Sequence, residues 1–158
     1  MCVVFLDIDG VLNNSELRTR FYEQHGRIAR LESVEQLCPV LVGRLNRLFE
    51  QTGARIVISS IWRMHSSIGK IKRMLMEMGL DREHIRRMDK TPGGGGPRGP
   101  QIDEWLRAQP EGLVTSFVIL DDGSDMEPNM DRLVHVDGHV GLTEQHVDQA
   151  IRMLNQEG

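Results

Sequence analysis

A chain of 158 residues, 39% hydrophobic and 27% charged, is sized for one domain that buries its own core, and its net charge of −4 excludes a general polyanion-binding surface. Its two cysteines, Cys2 and Cys38, are too few for a disulfide framework and lack zinc-ligand spacing, so both read as packing residues in a reducing cytoplasm. No apolar run approaches the ~20 residues of a membrane span, and the N-terminus lacks the charged start and long apolar stretch of a signal peptide, so a soluble, unexported protein without a membrane partner is expected.

Residues 3–6 (VVFL) form a short β-branched run ended by acidic residues and Gly10, as befits a strand buried on both faces. Residues 13 to about 36 are polar and fit no regular element, with Arg18, Arg20, Arg27 and Arg30 mixed among Phe21, Tyr22 and Ile28. Leu41, Leu45, Leu48 and Phe49 then make an apolar stripe at helical spacing, closed by Gly53. A second strand is expected over 55–58 (RIVI), and a second helix carries Ile68, Ile71, Leu75 and Met78 up to Gly79. The stretch TPGGGGPRGP, residues 91–100, reads as a loop and hinge, because consecutive glycines lose too much backbone entropy in a helix or strand. Ile102, Trp105 and Leu106 mark a shorter third helix. Strands follow at 117–120 (FVIL) and 132–136 (RLVHV). Val147, Ile151 and Leu154 mark a last helix with Thr143 as its N-cap. Strands alternating with helices predict an α/β fold, a doubly wound parallel sheet.

In such sheets ligands bind beyond the carboxyl ends of the strands. Asp7 and Asp9 follow the first strand, Ser59 and Ser60 the second, and Asp121 and Asp122 the third, with Asp125 close behind. Residues i and i+2 of an extended chain share a side, so Asp7 and Asp9 can face one ligand before Gly10 turns the backbone away. Several carboxylates at one rim call for a hard cation, and Mg²⁺ suits carboxylates combined with water and phosphate oxygens. One carboxylate can attack phosphorus while its neighbour protonates the leaving oxygen. A serine hydroxyl and a basic residue would hold the phosphoryl oxygens. Ser59 and Ser60 are near-equal candidates on chemistry alone. Arg63 is a further candidate phosphate contact, with a surface helix arginine lying on Trp62 as the alternative. Asp125 reads as a loop or capping residue, and the histidines show no metal-ligand spacing.

The segment DIDGVLN resembles motif I of the haloacid dehalogenase-like (HAD) superfamily, IVISS is similar to motif II, and VILDDGSD to the DD form of motif IV. Arg98 in PRGPQIDEWL is the best match to the basic residue of motif III, with Lys90 as the alternative. The wording of these motifs is close to small HAD domains found in RNA-repair and phage-like contexts. The resemblance implies a Rossmann-like HAD core with a minimal cap or none, and a phosphomonoesterase working through an aspartyl-phosphate. Asp7 would be the nucleophile and Asp9 the general acid and then base. Ser59 and Arg98 would clamp the phosphate, aided by Gly10, Ser60 or Arg63. Mg²⁺ would be held by Asp7, Asp9 through its carbonyl, and Asp121, with Asp122 beside or sharing that role. About fifty residues separate Asp9 from Ser59, which leaves only a small flap within 13–36 of one domain spanning 1–158. So open a site favours a large phosphorylated substrate, such as a DNA or RNA end, with a nucleotide or sugar phosphate as the smaller alternative. A phosphate-binding regulatory module with little activity is the reading from outside the enzyme class.

Overall fold

The computed structural model describes residues 1–156. Five strands, β1 (Cys2–Leu6), β2 (Arg55–Ile58), β3 (Asp89–Lys90), β4 (Ser116–Asp121) and β5 (Leu133–His135), form one parallel sheet in the order β3-β2-β1-β4-β5. The helices are α1 (Ser15–His25), α2 (Pro39–Thr52), α3 (Ile68–Glu77), α4 (Arg82–Ile85), α5 (Arg98–Arg107) and α6 (Glu144–Asn155). The expected α/β class therefore holds, and β1 takes the centre because its neighbours wind outward from it in both directions.

Side-chain alternation along the buried strands sorts them onto two faces. Val4, Leu6, Ile56, Ile58, Val118, Leu120 and Val134 meet the apolar stripes of α2, α3 and α6 in the larger core. Val3, Phe5, Val57 and Ile119 face Ile102 and Trp105 of α5 together with Met126. Phe5 sits edge-on to Trp105, with ring centroids 5.4 Å apart, which fixes α5 against the centre of the sheet.

Three elements escaped the sequence reading for physical reasons. Helix α1 buries none of its residues, so it has no apolar stripe to reveal it. Its ends are set instead by Asn14, whose side chain accepts from the Leu17 N–H, and by Gly26 in the left-handed conformation at φ 65°. The single turn α4 and the two-residue strand β3 are too short for any periodicity. The glycine-rich loop is also shorter than expected. Helix α5 already begins at Arg98, with Pro100 in its first turn, where a missing N–H costs nothing. At the last strand, β5 stops at His135 and Val136 only donates its N–H to the Asp121 carbonyl.

Among the described residues no helix is long and apolar enough to cross a membrane.

Candidate active site

Sheet register sets the site. Leu6 lies opposite Ile58 on one side and Leu120 on the other. The ladder then continues one step further, the Asp7 N–H bonding the Leu120 carbonyl and the Ser59 N–H the Leu6 carbonyl, both at 3.0 Å. Ser59, Asp7 and Asp121 thus stand side by side at the carboxyl rim, in phase with Val57, Phe5 and Ile119 and so toward α5. Lys90 lies opposite Ile58, in phase with the other face, and its ammonium rests 3.5 Å from the Arg63 carbonyl. Arg98 comes from the α5 side and arrives where the row points.

The close approach of α5 depends on Gly99. A Cβ there would lie 2.0 Å from the Glu127 carbonyl oxygen, so only glycine lets the first turn rest on that loop. Asp125 finishes the joint, its carboxylate accepting the Arg98 N–H at 3.1 Å and its carbonyl the Gly99 N–H at 2.9 Å. It acts as a helix cap, in line with its expected loop role.

One guanidinium nitrogen of Arg98, Nη1, lies 2.9 Å from Asp7 Oδ1 and 3.0 Å from Asp121 Oδ2. Both carboxylates are buried. Burial first, and then the charge of Asp121, push the Asp7 carboxyl up to about 8 against the opposing pull of Arg98. Burial likewise raises Asp121. Asp121 Oδ1 is held by the Gly123 N–H at 2.8 Å. Asp122 completes the acidic group, and Asp7, Asp121 and Asp122 each bring an oxygen within 4.8 Å of the others. Its carboxylate sits in space that two glycines leave free: a Cβ on Gly10, at φ +80°, would lie 2.2 Å from Asp122 Oδ2, and one on Gly138 2.7 Å from it. With all three ionised, the carboxylates outweigh the one guanidinium, a surplus of negative charge that a cation would offset. The all-oxygen donor set fits a hard divalent cation such as Mg²⁺.

The two serines differ sharply. Ser60 uses its hydroxyl to accept the Trp62 N–H at 3.2 Å and caps the 3₁₀ turn Ile61–Met64. Ser59 is fully buried, and its hydroxyl has no hydrogen-bond partner within the protein. An orphaned buried hydroxyl is unfavourable unless a ligand completes it. Arg63 is also buried, but its guanidinium is already engaged. It donates to the carbonyls of Ser59 at 2.9 Å, Ser60 at 2.8 Å and Thr91 at 3.2 Å, and to the Gln101 side chain. Arg63 is not the surface arginine that the sequence offered as the alternative; its guanidinium ties the β2 and β3 ends together.

Asp9 lies on the open side. Trp62 Nε1 donates to its Oδ2 at 3.1 Å and Asn13 Nδ2 to its Oδ1 at 3.0 Å. The Asn13 side-chain oxygen, Oδ1, accepts from the Gly10 N–H at 2.8 Å and from Arg18 at 3.2 Å. Arg18, on α1, stands 4.0 Å from Asp9. Two clefts meet at Asp9 and Arg18. One, of about 460 Å³, runs past Ser15, His139 and Asp122; the other, of about 400 Å³, runs past Ile28, Ala29 and Leu31. Trp62 carries no local signal for this role, because its contact joins segments 53 residues apart, whereas Asn13 lies only four residues from Asp9.

The remaining arginines of segment 13–36 are mostly spoken for. Arg20 pairs with Glu16, and Arg27 grips both oxygens of Glu35 at 2.9 and 3.0 Å. Those bonds, with the Arg30 N–H, lower the Glu35 carboxyl to about 2.

No curated protein matches the chain. The family model described as "HAD domain in Swiss Army Knife RNA repair proteins" matches residues 3–147, and the ordered rim residues Asp7, Ser59, Arg98 and Asp121 all lie inside that match. The chain belongs to this family of HAD domains.

Proposed function

We propose that the protein, as one HAD-like domain over residues 1–158, is a Mg²⁺-dependent phosphomonoesterase that works through an aspartyl-phosphate on nucleic-acid ends or nucleotides. The observation that carries this reading is the rim itself: Asp7 beside a buried, orphaned Ser59 hydroxyl, with Arg98 between Asp7 and Asp121.

Asp7 attacks phosphorus, a carboxylate–phosphorus bond forms and the ester bond to the leaving oxygen breaks. Asp9 gives that oxygen a proton, then takes one from the water that hydrolyses the acyl-phosphate. The Ser59 hydroxyl and Arg98 hold the phosphoryl oxygens. Bound at Asp7, Asp121 and Asp122, with the Asp9 carbonyl as a further donor, Mg²⁺ would offset repulsion between the phosphoryl group and the carboxylates. Arg98 is preferred to Lys90 as the motif III base because it already reaches Asp7.

The substrate class follows from the open side. Segment 13–36 serves as a small flap that borders the clefts without covering them, and Arg18 offers a cation beside Asp9. A long phosphorylated end fits such a rim, and the family's occurrence in RNA repair proteins supports a nucleic-acid end. The test is phosphate release from 3′- and 5′-phosphorylated oligonucleotides and from a 3′-nucleotide, with Mg²⁺ and with EDTA. Metal-dependent release that favours an oligonucleotide is expected. Release from small phosphates alone would shift the substrate to a nucleotide or sugar phosphate, and binding without release would identify a recognition module.

A further inference from the structure

We infer that Trp62 and Asn13 are positioning residues for the acid step, gripping the two oxygens of Asp9 so that its remaining lone pairs face the leaving group. This inference rests on the phosphomonoesterase reading. An ionised carboxylate has about four acceptor sites. Trp62 takes one on Oδ2 and Asn13 one on Oδ1, so each oxygen keeps one site for the proton it must hold and deliver. The Asp9 side chain is 42% exposed, and it lines both clefts. The grip therefore comes from the protein side while the free side faces substrate.

Both donors are themselves fixed. Trp62 is buried in the larger core, and its turn is capped by Ser60, directly after β2. Asn13 is buried too, and its oxygen is pinned by the Gly10 N–H and by Arg18. Asp9 is thereby referenced to β2 through Trp62 and to the turn after β1 through Asn13. Asp7 and Ser59 sit at the ends of those same strands, so the acid is held in the frame of the nucleophile and the phosphate site.

Trp62→Phe keeps the ring and removes the N–H. The readout is kcat/KM, which stops at departure of the leaving group, compared between 4-nitrophenyl phosphate and a 3′-phosphorylated oligonucleotide. Nitrophenolate leaves as a stable anion and an alkoxide does not, so only the second substrate needs a well-aimed acid. The expected result is a shift of at least about 10-fold in the ratio of the two values, against the oligonucleotide, a fraction of the 10²–10⁴-fold typical of general acid catalysis. Asn13→Ser withdraws the other donor and is expected to shift the same ratio in the same direction, which keeps the test open should the tryptophan variant fail to fold. Equal losses on both substrates, or no loss, in a folded variant would overturn the inference while leaving the hydrolase reading intact. A wild-type protein that hydrolyses neither ester would instead remove the reading beneath it.

Discussion

The two flanks of the first strand's end are built on opposite principles. On the α5 side, Asp7 and Asp121 are buried against one guanidinium, in positions that sheet register dictates. On the flap side, Asp9 is held from behind by Trp62 and Asn13 and is open in front, Arg18 sits at the surface, and α1 and the chain after it are held by helix caps and the exposed Arg27–Glu35 pair. Buried, charged and rigid suits the group that must meet phosphorus, where a small misplacement costs much of the rate. A lightly tethered flap in front of a fixed acid suits the side where the leaving group varies. Surface pairs contribute little to stability, whereas a broken buried pair leaves an uncompensated charge.

Substitutions on the two flanks should therefore differ in kind. The largest effect is expected for Asp7→Asn, which removes the attacking oxygen. Phosphate release should fall by more than about 10³-fold, while in EDTA the protein should melt at a higher temperature than wild type, since an amide avoids the cost of burying or protonating that carboxylate. Next comes Arg98→Ala, which leaves Asp7 and Asp121 facing each other. Chemical denaturation should report a loss of roughly 3–5 kcal/mol in EDTA, and turnover should fall as well. Ser59→Ala should cost about 10- to 100-fold in kcat/KM with an unchanged melting temperature, because its hydroxyl has no partner in the protein to lose.

The flanks should also respond to pH with opposite sign. Folding raises Asp7 from 3.8 to about 8, so between those values the folded chain holds a proton that the unfolded chain has released. In EDTA, stability should be greatest at the acid end of that window and fall as pH rises through it, and Asp7→Asn should flatten the slope. Glu35 is lowered from 4.5 to about 2, so its contribution is complete above 4.5 and disappears as pH falls toward 2. Glu35→Gln should remove that small acid-side loss without altering the alkaline slope. Urea denaturation at a series of pH values in EDTA checks both signs.

What could be read from the chain divides along the same line. β1, β2 and β4 were legible because a central parallel strand must be apolar on both faces, and runs such as VVFL and FVIL have few other uses. Their order fixed which polar residues follow strand ends, so Asp7, Ser59 and Asp121 could be named in advance. Ser59 could not be separated from Ser60, since the difference is a hydrogen bond to Trp62 that only the folded turn makes. The burial of Arg63 was not legible, because its proximity to the second motif says nothing of the carbonyls around it. Helix α1 left no trace because nothing on it is buried. The contact of Trp62 with Asp9 arises from tertiary structure alone, and that of Asn13 from the turn after β1.

The most direct measurement is rapid-quench mixing of the Mg²⁺-loaded protein with an oligonucleotide carrying a radiolabelled 3′-phosphate. If Asp7 attacks phosphorus, label appears on wild-type protein early in the first turnover, hydroxylamine strips it, and Asp7→Asn shows neither label nor release. An Asp7→Asn protein that releases phosphate at the wild-type rate would contradict the assignment.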